Sequence, residues 1–207
     1  MMSLDRAKKI KLVLFDVDGV LTDGSIWLFP APASGPRSTD AHAQQHAGGP
    51  GFGIISQNMI EAKGFNAHDG TAISLARLGG LKTGMVTKRI SETVALRARD
   101  LKIDFLYQGA DNKSHVLDRI LAENSFSEEQ VAYVGDDVID LPIMRRCGLA
   151  IAVANARPQV KEMAHYATPS HGGHGAARDA VEYILQAQGT LESVIEAYVT
   201  GIRAGPQ

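Results

Sequence analysis

Cysteine is all but absent from this 207-residue chain: Cys147 stands alone, so no disulfide can close within it. That suits a reducing compartment. Excess charge of one sign is lacking too. Lys and Arg number 21 against 23 Asp and Glu, a net of −2, which argues against a nucleic-acid-binding or polybasic membrane-binding surface. There is no long hydrophobic run. Arg6, Lys8, Lys9 and Lys11 precede a short apolar stretch, residues 12–15, that Asp16 cuts off. This is too short for the core of a secretion signal and far too short for a membrane span. A cytoplasmic protein with no membrane or nucleic-acid partner is expected. No internal repeat is present.

The chain is long enough to bury a core without a disulfide or structural metal. Residues 11–17 form an apolar run of strand length, the pattern of a strand buried on both faces of a parallel sheet. Residues 25–29, with Trp27, suggest a second strand that lies in the core or an interface. Residues 30–53 carry four Pro and five Gly with few large apolar groups, and predict a mobile loop. His42 and His46 stand four apart there without a third ligand, so zinc is not expected. Residues 54–60 and 64–67 read as extended.

Thereafter strands and helices alternate. The pattern predicts helices over 71–78, 91–101, 113–123, 137–147, 160–164, 176–188 and 191–198. It predicts strands over 82–87, 104–107, 130–134, 149–153 and 165–168. This alternation implies a doubly wound, Rossmann-like parallel α/β sheet. The whole chain, 1–207, reads as one domain with a β-hairpin insertion at about 25–67 and no cap domain.

Chemistry gathers at the strand ends, where open parallel sheets bind ligands. Asp16 and Asp18 leave the first strand two residues apart. One can attack phosphorus while the other trades a proton with the leaving oxygen. Thr87 ends a later strand, where its hydroxyl and the following N–H groups can hold a phosphate. Lys113 follows another strand and can neutralise phosphoryl oxygens. Gly135-Asp136-Asp137-Val138-Ile139-Asp140 ends a fourth strand, with Asp136 and Asp140 expected on one helix face. With Asp16 they make a hard-oxygen cluster that suits Mg²⁺ better than Zn²⁺.

In this order the four parts (Asp16-Val17-Asp18, Thr87, Lys113, and Gly135 to Asp140) resemble the haloacid dehalogenase superfamily of phosphotransferases. Asp16 to Gly24, Phe65-Asn66 with Asp69-Gly70, Tyr107-Gln108-Gly109, Asn112-Lys113, Tyr133 to Asp140 and the segment from His171 to Arg178 resemble its capless ulosonic acid 8-phosphate phosphatase subfamily. The resemblance implies Asp16 as nucleophile through an aspartyl phosphate and Asp18 as general acid, then base. Mg²⁺ is implied at the side chains of Asp16 and Asp136 and the backbone carbonyl of Asp18. Thr87 is implied on phosphate, Lys113 on the developing charge, and Asp140 or Asp137 on metal-bound water or Lys113. Asn66, His68 and Arg89 are the implied substrate contacts.

An acid at position 18 points to phosphomonoester hydrolysis, where the superfamily's ATPases carry Thr. The implied substrate is a sugar phosphate, foremost 3-deoxy-D-manno-octulosonate 8-phosphate, which would place the chain in lipopolysaccharide biosynthesis. A nonulosonic acid 9-phosphate and a degenerate scaffold domain stay open as alternatives. Relatives of this size imply a homotetramer whose neighbouring subunits cover the site. The chain departs from the subfamily at Lys88, where Gly is usual, and at His68 and His174, where Arg is common. The two histidines bear only part of an arginine's charge near neutral pH.

Overall fold

The computed structural model describes residues 2–30, 52–53 and 59–201, with only the backbone of 52–53. The mobile loop read into residues 30–53, and with it His42 and His46, lies almost wholly outside the described residues, as does most of the extended stretch 54–60.

A six-stranded parallel sheet forms the centre. Its strands are β1 (Leu12–Phe15), β5 (Lys82–Val86), β7 (Phe105–Tyr107), β8 (Val131–Gly135), β9 (Leu149–Ala152) and β10 (Tyr166–Ala167). They lie in the order β10-β9-β8-β1-β5-β7. Strand β1 is therefore central, with Phe15 beside Met85 on one flank and Val134 on the other. All four of its residues are buried, as a strand covered on both faces requires. From β1 the chain winds outward through β5 and β7, then returns to β8 and winds the other way. The reversal lies between β1 and β8, and an open α/β sheet binds its ligands at such a point.

Helices flank the sheet. α2 (Ala67–Leu78) packs on α7 (Ala176–Ala187) and α8 (Leu191–Thr200), and α1 (Ser3–Ala7) joins them. α4 (Lys113–Glu123), α5 (Leu141–Met144) and α6 (Pro158–Met163) form a second group in which α5 touches both others. α3 (Glu92–Asp100) lies beside α2, with Arg97 over the Phe65 ring at 5.7 Å.

Several elements depart from the sequence reading. α1 was not anticipated; five residues are too few to show a helical period. α2 starts at Ala67 rather than 71, because the Asn66 side chain accepts from His68 N at 2.8 Å and caps it. Asp69-Gly70 therefore lies within the first turn instead of opening the helix. The helix expected over 137–147 is a single 3₁₀ turn, Val138–Asp140, running into the four-residue α5. Asp137 caps that turn through Val138 N, and Pro142 in the first turn of α5 offers no backbone donor.

Outside the main sheet, β2 (Trp27–Pro30) and β4 (Met59–Ala62) pair antiparallel, with Leu28 opposite Glu61 and Phe29 opposite Ile60. β3 (Phe52–Gly53) pairs in parallel with β6 (Arg89–Ile90). Trp27 is not a core residue within the chain: it is 57% exposed. No helix among the described residues is long and apolar enough to cross a membrane.

Candidate active site

The three central strands each end in a functional side chain. Asp16 follows β1, Thr87 follows β5 and Asp136 follows β8, while Lys113 opens α4 after β7. These ends surround a cavity of about 300 Å³ lined by Asp16, Asp18, Thr87, Lys88, Arg89 and Asp136, with Asp137 and Ile139 at its rim.

Lys113 is the hub. Its Nζ lies 2.7 Å from Asp16 Oδ2 and 2.6 Å from Asp140 Oδ1, and it donates to the Tyr133 hydroxyl at 3.0 Å. Tyr133 in turn donates to Asp140 Oδ1 at 2.7 Å. The other Asp140 oxygen accepts from Asp136 N at 2.9 Å and Asp137 N at 3.2 Å. Asp140 is thus consumed in holding Lys113 and the turn that carries Asp136. Its side chain folds back onto that turn instead of projecting from a helix face.

Burial governs the electrostatics. It raises the Asp16 carboxyl well above the ordinary carboxylate range, against the pull of Lys113 and with help from the Asp140 and Asp136 charges. Burial and the Asp140 charge push Asp136 up to about 7. For Lys113, burial disfavours the charge, but Asp16 and Asp140 outweigh it and the pKa is raised. Burial and the Asp140 and Asp16 charges raise the Tyr133 phenol, so it stays a donor.

A divalent cation fits this acid cluster. Asp16, Asp136 and Asp140 each bring an oxygen within 4.8 Å of the others. Asp136 Oδ1 is buried and accepts no hydrogen bond, an expensive state unless a cation takes the lone pairs. Gly19 preserves the space. Its φ is +91°, and a Cβ there would fall 2.2 Å from Asp136 Oδ2.

Thr87 is buried, and its Oγ1 accepts from Arg89 N at 3.2 Å, which leaves its proton for a ligand. The structure thus gathers Asp16, Asp18, Thr87, Arg89, Lys113, Asp136 and Asp140. It leaves Asn66 and His68 outside the cavity. Asn66 caps α2 and borders a narrow cleft with Asp69 and Arg97, and His68 is exposed. Cys147 and His165 are also remote: burial pushes the Cys147 thiol up to about 12, and His165 Nδ1 accepts from Ala150 N at 2.9 Å.

Three polar residues here were not singled out from the sequence. Tyr133 was visible only as the head of the segment running to Asp140, with no role of its own. Glu61 and Lys63 reach the site from the β2–β4 hairpin, and Lys63 pairs with Asp18. Their one signal was two charges at strand alternation just before Gly64-Phe65.

Residues 86–178 match the model of the haloacid dehalogenase-like hydrolase family. The 3-deoxy-D-manno-octulosonate 8-phosphate phosphatase of Escherichia coli strain K12 is 35% identical over 187 residues, 90% of this chain and 85% of that one. A probable YrbI family phosphatase from Pseudomonas syringae superposes with a TM-score of 0.78 at 41% identity, over 95% of this chain and 97% of its own. The 3-deoxy-D-manno-octulosonate 8-phosphate phosphatase of Moraxella catarrhalis, in complex with a magnesium ion, a phosphate ion and KDO, also gives 0.78, at 30% identity over 95% and 97%.

Proposed function

The chain belongs to the haloacid dehalogenase-like hydrolases and is a phosphatase of that family; on that premise we propose that it hydrolyses the 8-phosphate of 3-deoxy-D-manno-octulosonate with Mg²⁺ as cofactor. The observation that carries the reading is the meeting of Asp16, Asp18 and Thr87 around one cavity, with Lys113 paired to Asp16, beside an oxygen cluster that fits a cation. The substrate comes from the relatives' activity.

Asp16 attacks phosphorus through a carboxylate oxygen as the bond to the sugar oxygen breaks, and the phosphoryl group passes to Asp16. Asp18 gives its proton to the departing sugar oxygen, then takes one from the water that cleaves the aspartyl phosphate. Thr87 donates its free hydroxyl proton to a phosphoryl oxygen, and Lys113 holds positive charge against the same group. Tyr133 and Asp140 keep Lys113 in place. When bound, Mg²⁺ at Asp16, Asp136 and the Asp18 carbonyl would offset the negative charge of the phosphoryl group.

The hairpin supports a homotetramer. Trp27, Phe29 and Ile60 share one of its faces and are 57%, 48% and 48% exposed, an apolar patch that another subunit would cover. In such an assembly Asn66 and His68 would meet a neighbour's substrate, not their own subunit's.

Phosphate release from a sugar-phosphate panel, with Mg²⁺ and with chelator, tests the proposal. Mg²⁺-dependent release is expected, fastest from 3-deoxy-D-manno-octulosonate 8-phosphate. A faster nonulosonic acid 9-phosphate would reassign the substrate, and no release from any phosphate would overturn the reading.

A further inference from the structure

Asp18 is embraced from the hairpin side by charges that the family mechanism above does not use. Lys63 Nζ pairs with Asp18 Oδ1 and lies 3.5 Å from Glu61 Oε1. Arg89 Nη2 lies 2.5 Å from Glu61 Oε2, and Arg89 Nε lies 3.9 Å from Asp18 Oδ2. Once Asp18 has given up its proton and is ionised, the four groups form a closed ring of alternating sign: Asp18, Lys63, Glu61, Arg89. The Lys63 side chain is wholly buried, while Asp18 keeps 23% exposure toward the cavity.

A buried lysine is costly unless its partners are built around it. Glu61 and Lys63 stand two apart at the end of β4, so strand alternation turns both toward Asp18 and away from the apolar face of Trp27 and Phe29. Glu61 is itself anchored. Thr93 Oγ1 donates to its backbone carbonyl at 3.1 Å, and Arg89 clamps its carboxylate. Arg89 is tied in turn to phosphate-facing Thr87 through its backbone N–H. Such an arrangement fixes a side-chain direction. It locks the one carboxyl that must reach the leaving oxygen, where a misplacement of an ångström costs most.

We infer that Lys63, seated by Glu61, is a positioning residue for Asp18, and that the hairpin thereby aims the proton transfer to the leaving group. The inference rests on the phosphatase reading. Because the second step is common to all substrates, it predicts a defect in kcat/KM, which reports the first phosphoryl transfer, confined to substrates whose leaving oxygen needs a proton. An alkyl alkoxide needs one, whereas p-nitrophenolate leaves without it.

The experiment compares kcat/KM for p-nitrophenyl phosphate with that for 3-deoxy-D-manno-octulosonate 8-phosphate, or the sugar phosphate turned over best. The proteins are wild type, Lys63→Met, Lys63→Arg and Glu61→Gln. Lys63→Met is expected to lose ~100-fold on the sugar phosphate and no more than ~5-fold on p-nitrophenyl phosphate. Lys63→Arg should recover part of the loss, and Glu61→Gln should show the same bias more weakly. Equal losses on both substrates would mean that Lys63 only supports the fold, and would overturn the inference while the phosphatase reading stands. If Lys63→Met does not fold, the nearly isosteric Glu61→Gln carries the same test by the same ratio. A wild-type chain that frees phosphate from neither substrate overturns both.

Discussion

Asp16 is an acid that its surroundings discourage from ionising, held at the end of a buried strand beside the lysine that must offset it. Asp16→Asn keeps the shape and removes both the nucleophilic oxygen and the charge. Turnover should fall at least ~10³-fold with an unchanged or higher melting temperature, since a reluctant buried carboxylate has been neutralised. Full activity in this variant would sink the aspartyl-phosphate route. The raised pKa values also set a pH trend. Asp136 rises from 3.8 to about 7, so between those values the metal-free fold binds more protons than the unfolded chain, and stability falls as pH climbs. A cation needs the ionised carboxylates and must displace those protons. Thermal melts with Mg²⁺ and with chelator should therefore differ more at pH 8 than at pH 6, and equal differences would count against metal binding at Asp16 and Asp136. Asp16, Thr87 and Asp136 were legible because each follows a strand directly in a local motif, and Lys113 because it opens the helix after one. Lys63 and Glu61 were not, since only the folding back of the hairpin brings them to Asp18, and Tyr133 headed a motif whose chemistry pointed to its acids alone.

Among the elements, a contact that joins two of the motif segments is made by Asp69 in the first turn of α2. Its oxygens accept from Gly175 N at 3.2 Å and Arg178 N at 3.1 Å, so it caps α7 from another helix. Burial lifts its pKa despite those donors. Asp69→Ala would leave two backbone N–H groups without acceptors, and should cost about 2 kcal/mol of stability by denaturant melting; Asp69→Asn should cost less. Read from the sequence, Asp69-Gly70 was a boundary signal, as Asp-Gly usually is. Asn66 won the role of cap, and the glycine was carried inside the helix. The 3₁₀ turn at Val138–Asp140 went unread for a related reason. Four-residue spacing suggests a helix face, but Asp140 spends its oxygens on the backbone of Asp136 and Asp137.

At the scale of the molecule, alternation alone foretold the parallel sheet. Alternation does not tell which face of a lone hairpin meets another chain. If the apolar face is an interface, Trp27→Lys with Phe29→Glu should reduce the solution mass measured by light scattering to that of one subunit. A parent that already runs as a monomer would remove the homotetramer proposal. The C-terminal half also presses on the catalytic loop, since a Cβ at Gly172 would lie 1.7 Å from the Gly19 carbonyl oxygen. The central place of β1 has a further consequence, one of timing. A ribosome delivers this strand before either neighbour, so Leu12 must wait for Lys82 on one flank and for Val131 on the other. Until then an apolar ribbon stands with both edges open, a template for pairing with other nascent chains. Asp16 joins Asp136 only when β8 docks. A growing polypeptide therefore passes through its most aggregation-prone stage before it can bind a cation, and conditions that slow the second half of synthesis should lower the yield of folded protein.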